Sequence, residues 1–257
     1  MKYTLYTAVW YILVSLYAHT GCAQVNIEKF RNTTQDSGYS GIIEFDVSHR
    51  TGNVELTTLE VESRLDHVRD TMQSFVIIRN DYGWQGGKQF SNEGLIHVRH
   101  VFRTQSAFQP EIFVQTDYNK KRLLNYRALA GLGIRRVLYS TTNMAFKAGT
   151  ALMPEREEYD VDGANSQNKT VSVLRWSNYI TTNIPLGGHT RWTSTTYIQP
   201  DLADFADIRV LADTELSIKL YTQWSLVIAV NLRYDSEPPD GIESLDTELK
   251  PGLVLIF

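Results

Sequence analysis

The 257 residues are 42% hydrophobic and 21% charged, which fits a folded chain and excludes a disordered one. A net charge of −4 exerts no strong pull on nucleic acid, so a nucleic-acid partner is not expected. The single cysteine excludes a disulfide-stapled fold, and after the N-terminus no run of 18 apolar residues offers a membrane-spanning helix.

In chain order, residues 1–23 read as a secretory signal peptide. Lys2 supplies the positive start and AVWYILVSLYA the short apolar stretch. Gly21, Cys22 and Ala23 then place small residues before a cut between Ala23 and Gln24. A lipoprotein reading on Cys22 fits less well, because His19 stands where such motifs want an apolar residue. After cleavage no cysteine remains. Residues 24–38 are polar and read as a periplasmic lead-in.

From residue 39 onward a period of two replaces any helical period. Ile43, Phe45 and Val47 alternate with Glu44, Asp46 and Ser48. Leu59, Val61 and Leu65 oppose Glu60, Glu62 and Arg64; Ile96, Val98 and Phe102 oppose His97, Arg99 and Arg103. Ile112, Val114 and Tyr118 oppose Glu111, Gln115 and Asp117, and Leu124, Tyr126, Ala128, Ala130 and Leu132 oppose Asn125, Arg127 and Arg135. Ile208, Val210, Ala212 and Leu216 oppose Arg209, Asp213 and Glu215. Leu226, Ile228, Val230, Leu232 and Tyr234 oppose Asn231, Arg233 and Asp235.

The segments predicted as strands are 39–50, 53–66, 71–82, 89–103, 109–119, 122–137, 143–156, 171–183, 188–199, 206–217, 221–235 and 246–257. Ordinary strands average about 5–6 residues, whereas tilted bilayer-spanning strands need about 9–11. These lengths predict an all-β fold: one antiparallel transmembrane β-barrel of about 12 strands, with 10 or 14 as alternatives. The two longest connections, EREEYDVDGANSQNKT and DSEPPDGIESL, fall on the same side. That parity assigns them to the outside and leaves both termini in the periplasm.

Lipid offers no hydrogen-bond partners, so the apolar parity must face outward and the charged parity inward. The lumen-lining candidates are Glu44, Asp46, Glu60, Glu62, Arg64, Arg99, Gln115, Asp117, Arg127, Arg209, Asp213, Glu215 and Arg233. Tyr118, Tyr139, Trp192, Tyr197, Trp224 and Tyr234, near strand ends, suit interfacial girdles. Leu253, Leu255 and Phe257 form an alternating aromatic-ended terminus of the kind read as a barrel-assembly signal.

Several stretches resemble the salt-induced outer-membrane protein family, domain of unknown function 481. GYSGIIEFDVSHRTGNVE is similar to its opening hairpin, through Gly38, Gly41, Gly52 and Asn53. NKKRLLNYRALAGLGIRR resembles its strand with paired glycines, here Gly131 and Gly133. LRYDSEPPDGIESLDTELKPGLVLIF resembles its closing hairpin, through Tyr234, Asp235, Ser236, Pro238, Pro239, Gly241, Asp246, Thr247 and Phe257. The closing strand departs from the family by carrying Pro251 and Gly252, and Ser244 and Leu245 stand where relatives often have a lysine. The resemblance implies an outer-membrane barrel and brings no substrate or catalytic residues.

Catalytic chemistry finds little foothold. No Gly-x-Ser-x-Gly elbow is present, and His97 and His100 have opposite parity, so they cannot face one ligand. Asp160-Val161-Asp162-Gly163, in an acidic stretch with Glu155, Glu157 and Glu158, lacks the spacing of a calcium loop and reads as a solvated outer loop. GWQGGK at 83–88 reads as a glycine-rich turn. No enzyme activity, cofactor or metal is expected.

The expected partners are outer-membrane lipid and lipopolysaccharide, and the barrel-assembly machinery during biogenesis; the oligomeric state is left open. The expected location is the outer membrane of a Gram-negative bacterium. Two functions fit: a narrow channel for ions or small solutes, or a structural or envelope-stress barrel with a plugged lumen. A soluble lipid-binding barrel is a third.

Overall fold

The computed structural model describes residues 37–255 except 53–54, 105, 142–143, 161–168 and 222–223. The predicted signal peptide with Ala23 and Gln24, most of the lead-in, Phe257 and Asp162 lie outside the described residues. So do the side chains of Glu44, Asp46, Leu253 and Leu255.

Twelve strands follow one another: β1 (Gly38–Arg50), β2 (Leu56–Arg69), β3 (Met72–Gln85), β4 (Lys88–Phe102), β5 (Phe108–Asn119) and β6 (Leu124–Ser140). Then come β7 (Ala145–Tyr159), β8 (Lys169–Pro185), β9 (Thr190–Pro200), β10 (Ile208–Lys219), β11 (Trp224–Asp235) and β12 (Leu245–Leu255). They form one sheet in sequence order, each strand antiparallel to the next. A short 3-10 turn at Lys120–Arg122 joins β5 to β6. The GWQGGK stretch makes a two-residue hairpin. Gly86 (φ 54°) and Gly87 (φ 74°) both take positive φ there, as a primed two-residue turn requires.

Contacts between distant strands show that the sheet is rolled. β6 and β12 are six strands apart, about 29 Å along a flat sheet. Yet Arg122, just before β6, lies 3.0 Å from Asp246 on β12. Phe75, Ile77 and Leu95 from β3 and β4 share one buried cluster with Tyr179, Tyr197 and Leu211 from β8, β9 and β10.

The polarity of the roll is inside out. Its concave face buries Arg64, Arg99, Arg127, Arg175, Arg209 and Arg233 together with their carboxylate partners. Its convex face exposes Ile43 (79%), Leu132 (67%), Val114 and Ile180. By strand parity, the outward charged residues Arg69, Lys88, Arg136, Arg156 and Glu158 all lie within four residues of a strand end. Among the described residues, the middle of the outer face is therefore free of charge, as hydrocarbon demands.

Several outward polar groups satisfy one another. Ser74 Oγ is 2.7 Å from His100 Nδ1, and Thr150, Asn178 and Trp176 are joined by hydrogen bonds. Exposed aromatics stand near both ends, Phe102, Phe108, Tyr139 and Trp224 at one and Tyr126 and Tyr234 at the other.

Tyr197 corrects the predicted girdle. It sits on the inward parity of β9, 8% exposed, with its ring 5.2 Å from that of Tyr179. Leu124 is a second correction. A register shift between Leu124 and Tyr126 turns it inward, where it is buried. The acidic stretch is the third. β7 runs to Tyr159, so Glu155 and Glu157 stand inside the roll rather than in a solvated loop.

Candidate lumen site

The interior is built in tiers, because inward residues of neighbouring strands share a level and meet their counterparts across the roll. Towards the end that carries the long connections, the tier is ionic. Arg209 Nη1 donates to Glu155 Oε1 (2.6 Å) and Glu157 Oε1 (2.8 Å), Nη2 to Glu157 Oε2 (2.8 Å), and Nε to Asp235 Oδ2 (2.9 Å). Arg175 joins the same Glu155 at 3.2 Å and holds Asp207 by a fork at 3.0 and 3.2 Å. Arg127 grips Asp117 through Nε (3.0 Å) and Nη2 (2.9 Å) and lies 3.8 Å from Glu157. Arg233 pairs with Asp213 at 2.6 Å, and Arg79 with Glu62.

The innermost of these pairs are fully desolvated: the Glu155 carboxylate is 0% exposed and the Arg175 side chain 1%. Such charges persist only when each is matched, because an unmatched one costs several kcal/mol. Arginine suits the task, since its planar fork holds two carboxylates at once.

The β11–β12 connection closes over this tier. Pro238, Pro239 and Ile242 line a cavity of about 20 Å³ with Arg127, Arg209 and Glu157. Hydrogen bonds from Asp235 N to Ser244 O (2.9 Å) and from Ser236 N to Ile208 O (3.1 Å) fix the connection there.

The next tier is aromatic. The His97 ring lies between Phe75 (6.0 Å) and Phe113 (5.9 Å), and its Nδ1 is 3.0 Å from Gln115 Oε1. The Arg99 guanidinium lies over the Phe113 ring at 4.6 Å and reaches Tyr179 at 5.9 Å, four strands away. Tyr179 donates its hydroxyl to Glu111 at 3.2 Å. A cavity of about 30 Å³ remains between Arg99, Gln115, Ser177, Tyr197 and Gln199, room for a water or two.

Glycines let the aromatics in. A Cβ on Gly131 would lie 2.0 Å from Phe113 Cζ, and one on Gly149 would lie 2.2 Å from the Tyr179 ring. Near the short-turn end, Arg64 holds Asp66 by two bonds of 2.5 and 2.7 Å.

Of the predicted lumen residues, Glu62, Arg64, Arg99, Gln115, Asp117, Arg127, Arg209, Asp213 and Arg233 are buried on the concave face, while Glu60 and Glu215 are half-buried. Glu44 and Asp46 stand opposite Glu62 and Glu60 in the β1–β2 register. Arg175, Glu155, Glu157, Glu93 and Glu248 belong to the same interior and were absent from the sequence-derived set. Parity along VSVLRWSNYITT carries the signal for Arg175, which shares a face with Ser177, Tyr179 and Thr181. Among the described residues, no three His, Asp or Glu side chains are placed to hold a metal ion.

A rolled antiparallel sheet with an apolar belt outside and ion pairs inside defines a β-barrel of the membrane-spanning class. The chain belongs to the family described as Protein of unknown function, DUF481, whose model matches residues 43–257.

Comparison with curated proteins found no match. Among solved structures, the chain is similar to the NanC porin, with 10% identity, 85% of this chain and 98% of that one covered, and a TM-score of 0.48. It is also similar to the translocator domain of the autotransporter NalP from Neisseria meningitidis (10% identity, 88% and 90% covered, TM-score 0.45). A third similarity is to the β domain of the Bordetella autotransporter BrkA (9% identity, 85% and 98% covered, TM-score 0.37).

Proposed function

We propose that the protein is an outer-membrane β-barrel of the Gram-negative envelope whose lumen is sealed, and that it acts as a structural or envelope-stress barrel rather than as a conduit. One observation carries this reading: Arg209 on β10 holds carboxylates from β7 and β11 simultaneously, so its side chain bridges the interior. The aromatic tier supports it further, as do the two small interior cavities among the described residues, of about 20 and 30 Å³. Passing a hydrated ion requires several desolvated pairs to part together, each separation costing about 3–5 kcal/mol. Conductance measurement on the purified protein in a planar bilayer tests the proposal; stepwise currents through the unaltered protein overturn it.

A narrow channel is the second reading. Charge of both signs on the inward parity of many strands favours it, because such a lining suits ions once the pairs swing aside. A soluble lipid-binding barrel is the poorest fit. Its lumen would be apolar, whereas this interior is filled with arginine–carboxylate pairs.

A further inference from the structure

We propose that the outer wall carries a seat for one phospholipid, with an acyl chain in a hollow over β7 and the phosphate on Arg136. The hollow measures about 490 Å³, within the size range of small-molecule sites and far larger than the two interior cavities described above. Sequence explains its shape. In the register, Ile134 stands beside Thr150 and then Asn178, and Arg136 beside Ala148 and then Ile180. Ala148 and Thr150 are short, so β7 forms a trough between higher banks, closed by Phe108 and Ile198.

Two of the polar side chains in the trough, Thr150 and Asn178, are already committed to each other and to Trp176. Trp176 Nε1 donates to Thr150 Oγ1 (2.8 Å), Thr150 Oγ1 to Asn178 Oδ1 (2.8 Å), and Asn178 Nδ2 to the Trp176 carbonyl (3.0 Å). What remains for an occupant is mainly hydrocarbon surface, with the Thr196 hydroxyl among it. Arg136 is exposed at the end of the hollow, its guanidinium 5.0 Å from the ring centre of Phe108, and among the described residues it makes no ion pair. It lies among the exposed aromatics at the short-turn end, the level at which headgroups sit. A cation at headgroup depth beside an apolar trough matches an anionic headgroup on an acyl chain. A second copy fits less well, because two convex walls meet along a line while a flexible chain conforms to a trough.

The seat rests on the membrane reading above. The test is native mass spectrometry of the protein released in mild detergent, followed by titration of the delipidated protein with phosphatidylglycerol or phosphatidylcholine. The unaltered protein retains one phospholipid and prefers phosphatidylglycerol by about fivefold. Ala148→Trp fills the trough and abolishes retention. Leu152→Trp, outward on the same strand but outside the hollow, keeps it. Arg136→Gln still takes a lipid but loses the preference.

Equal lipid on the unaltered protein and on Ala148→Trp overturns the seat, as does a protein dimer that Ala148→Trp alone dissolves. Cell fractionation separates the two claims. Recovery away from membranes removes both, whereas membrane recovery with trough-insensitive lipid removes only the seat.

Discussion

Arg209 of β10 and Glu157 of β7 meet through two parallel hydrogen bonds of 2.8 Å across the interior of the roll, three strands apart. Neither residue has water to fall back on: their side chains are 8% and 2% exposed. The pair therefore ties β10 to β7 across a quarter of the roll, and its loss leaves a buried charge poorly matched.

Arg209→Ala takes the guanidinium from Asp235 and leaves Glu157 only Arg127 at 3.8 Å, while Glu155 keeps Arg175, and it is expected to cost about 3–5 kcal/mol. Replacing Arg209 and Glu157 together by Met and Leu should recover only the share owed to Glu157, because apolar groups of similar volume need no partner while Asp235 still loses its guanidinium. Denaturant unfolding of the two variants in detergent checks this. Equal destabilisation by the single and the double change refutes the pairing.

The aromatic tier depends on missing side chains. Gly131→Ala pushes a methyl into the Phe113 ring and should destabilise by about 1–3 kcal/mol through overpacking. Phe113→Leu in the same chain should relieve part of it. If Phe113→Leu makes Gly131→Ala worse, the two residues do not share the tier as described.

The outer face should reject charge where the inner face accepts it. Leu132→Arg, outward on β6, is expected to cost about 2–4 kcal/mol if it sits at mid-depth, and to lower the amount recovered with the membrane. The existing Arg127 and Arg135 stand on the same strand with the opposite parity at no such cost. Unchanged membrane recovery of Leu132→Arg contradicts the inside-out polarity.

Strand number, strand order and the inward parity were legible because burial in a bilayer forces a strict period of two. Ile96, Val98 and Phe102 against His97, Arg99 and Arg103 spell it out. The same logic blurs where both parities are charged. In EREEY, Arg156 and Glu158 are the outward neighbours of Glu155 and Glu157, so alternation vanishes and the end of β7 reads as loop.

Tyr197 misleads for a different reason. A tyrosine near a strand end suits a membrane interface, but here it faces inward against Tyr179. Partners across the roll, such as Arg209 with Glu157 or Arg99 with Tyr179, are fixed by curvature and register together. Local pattern in one strand carries neither. The lipid-side trough arises in the same way, from short residues that become a feature only beside their neighbours in the register.

The most direct test of the sealed lumen is single-channel recording in a planar bilayer, comparing the unaltered protein with a chain in which Arg99, Arg127 and Arg209 are all replaced by Ser. The account predicts a silent membrane for the unaltered protein at every voltage the bilayer withstands. It predicts discrete current steps for the triple variant once its folded insertion is verified. Steady conductance through the unaltered protein contradicts it.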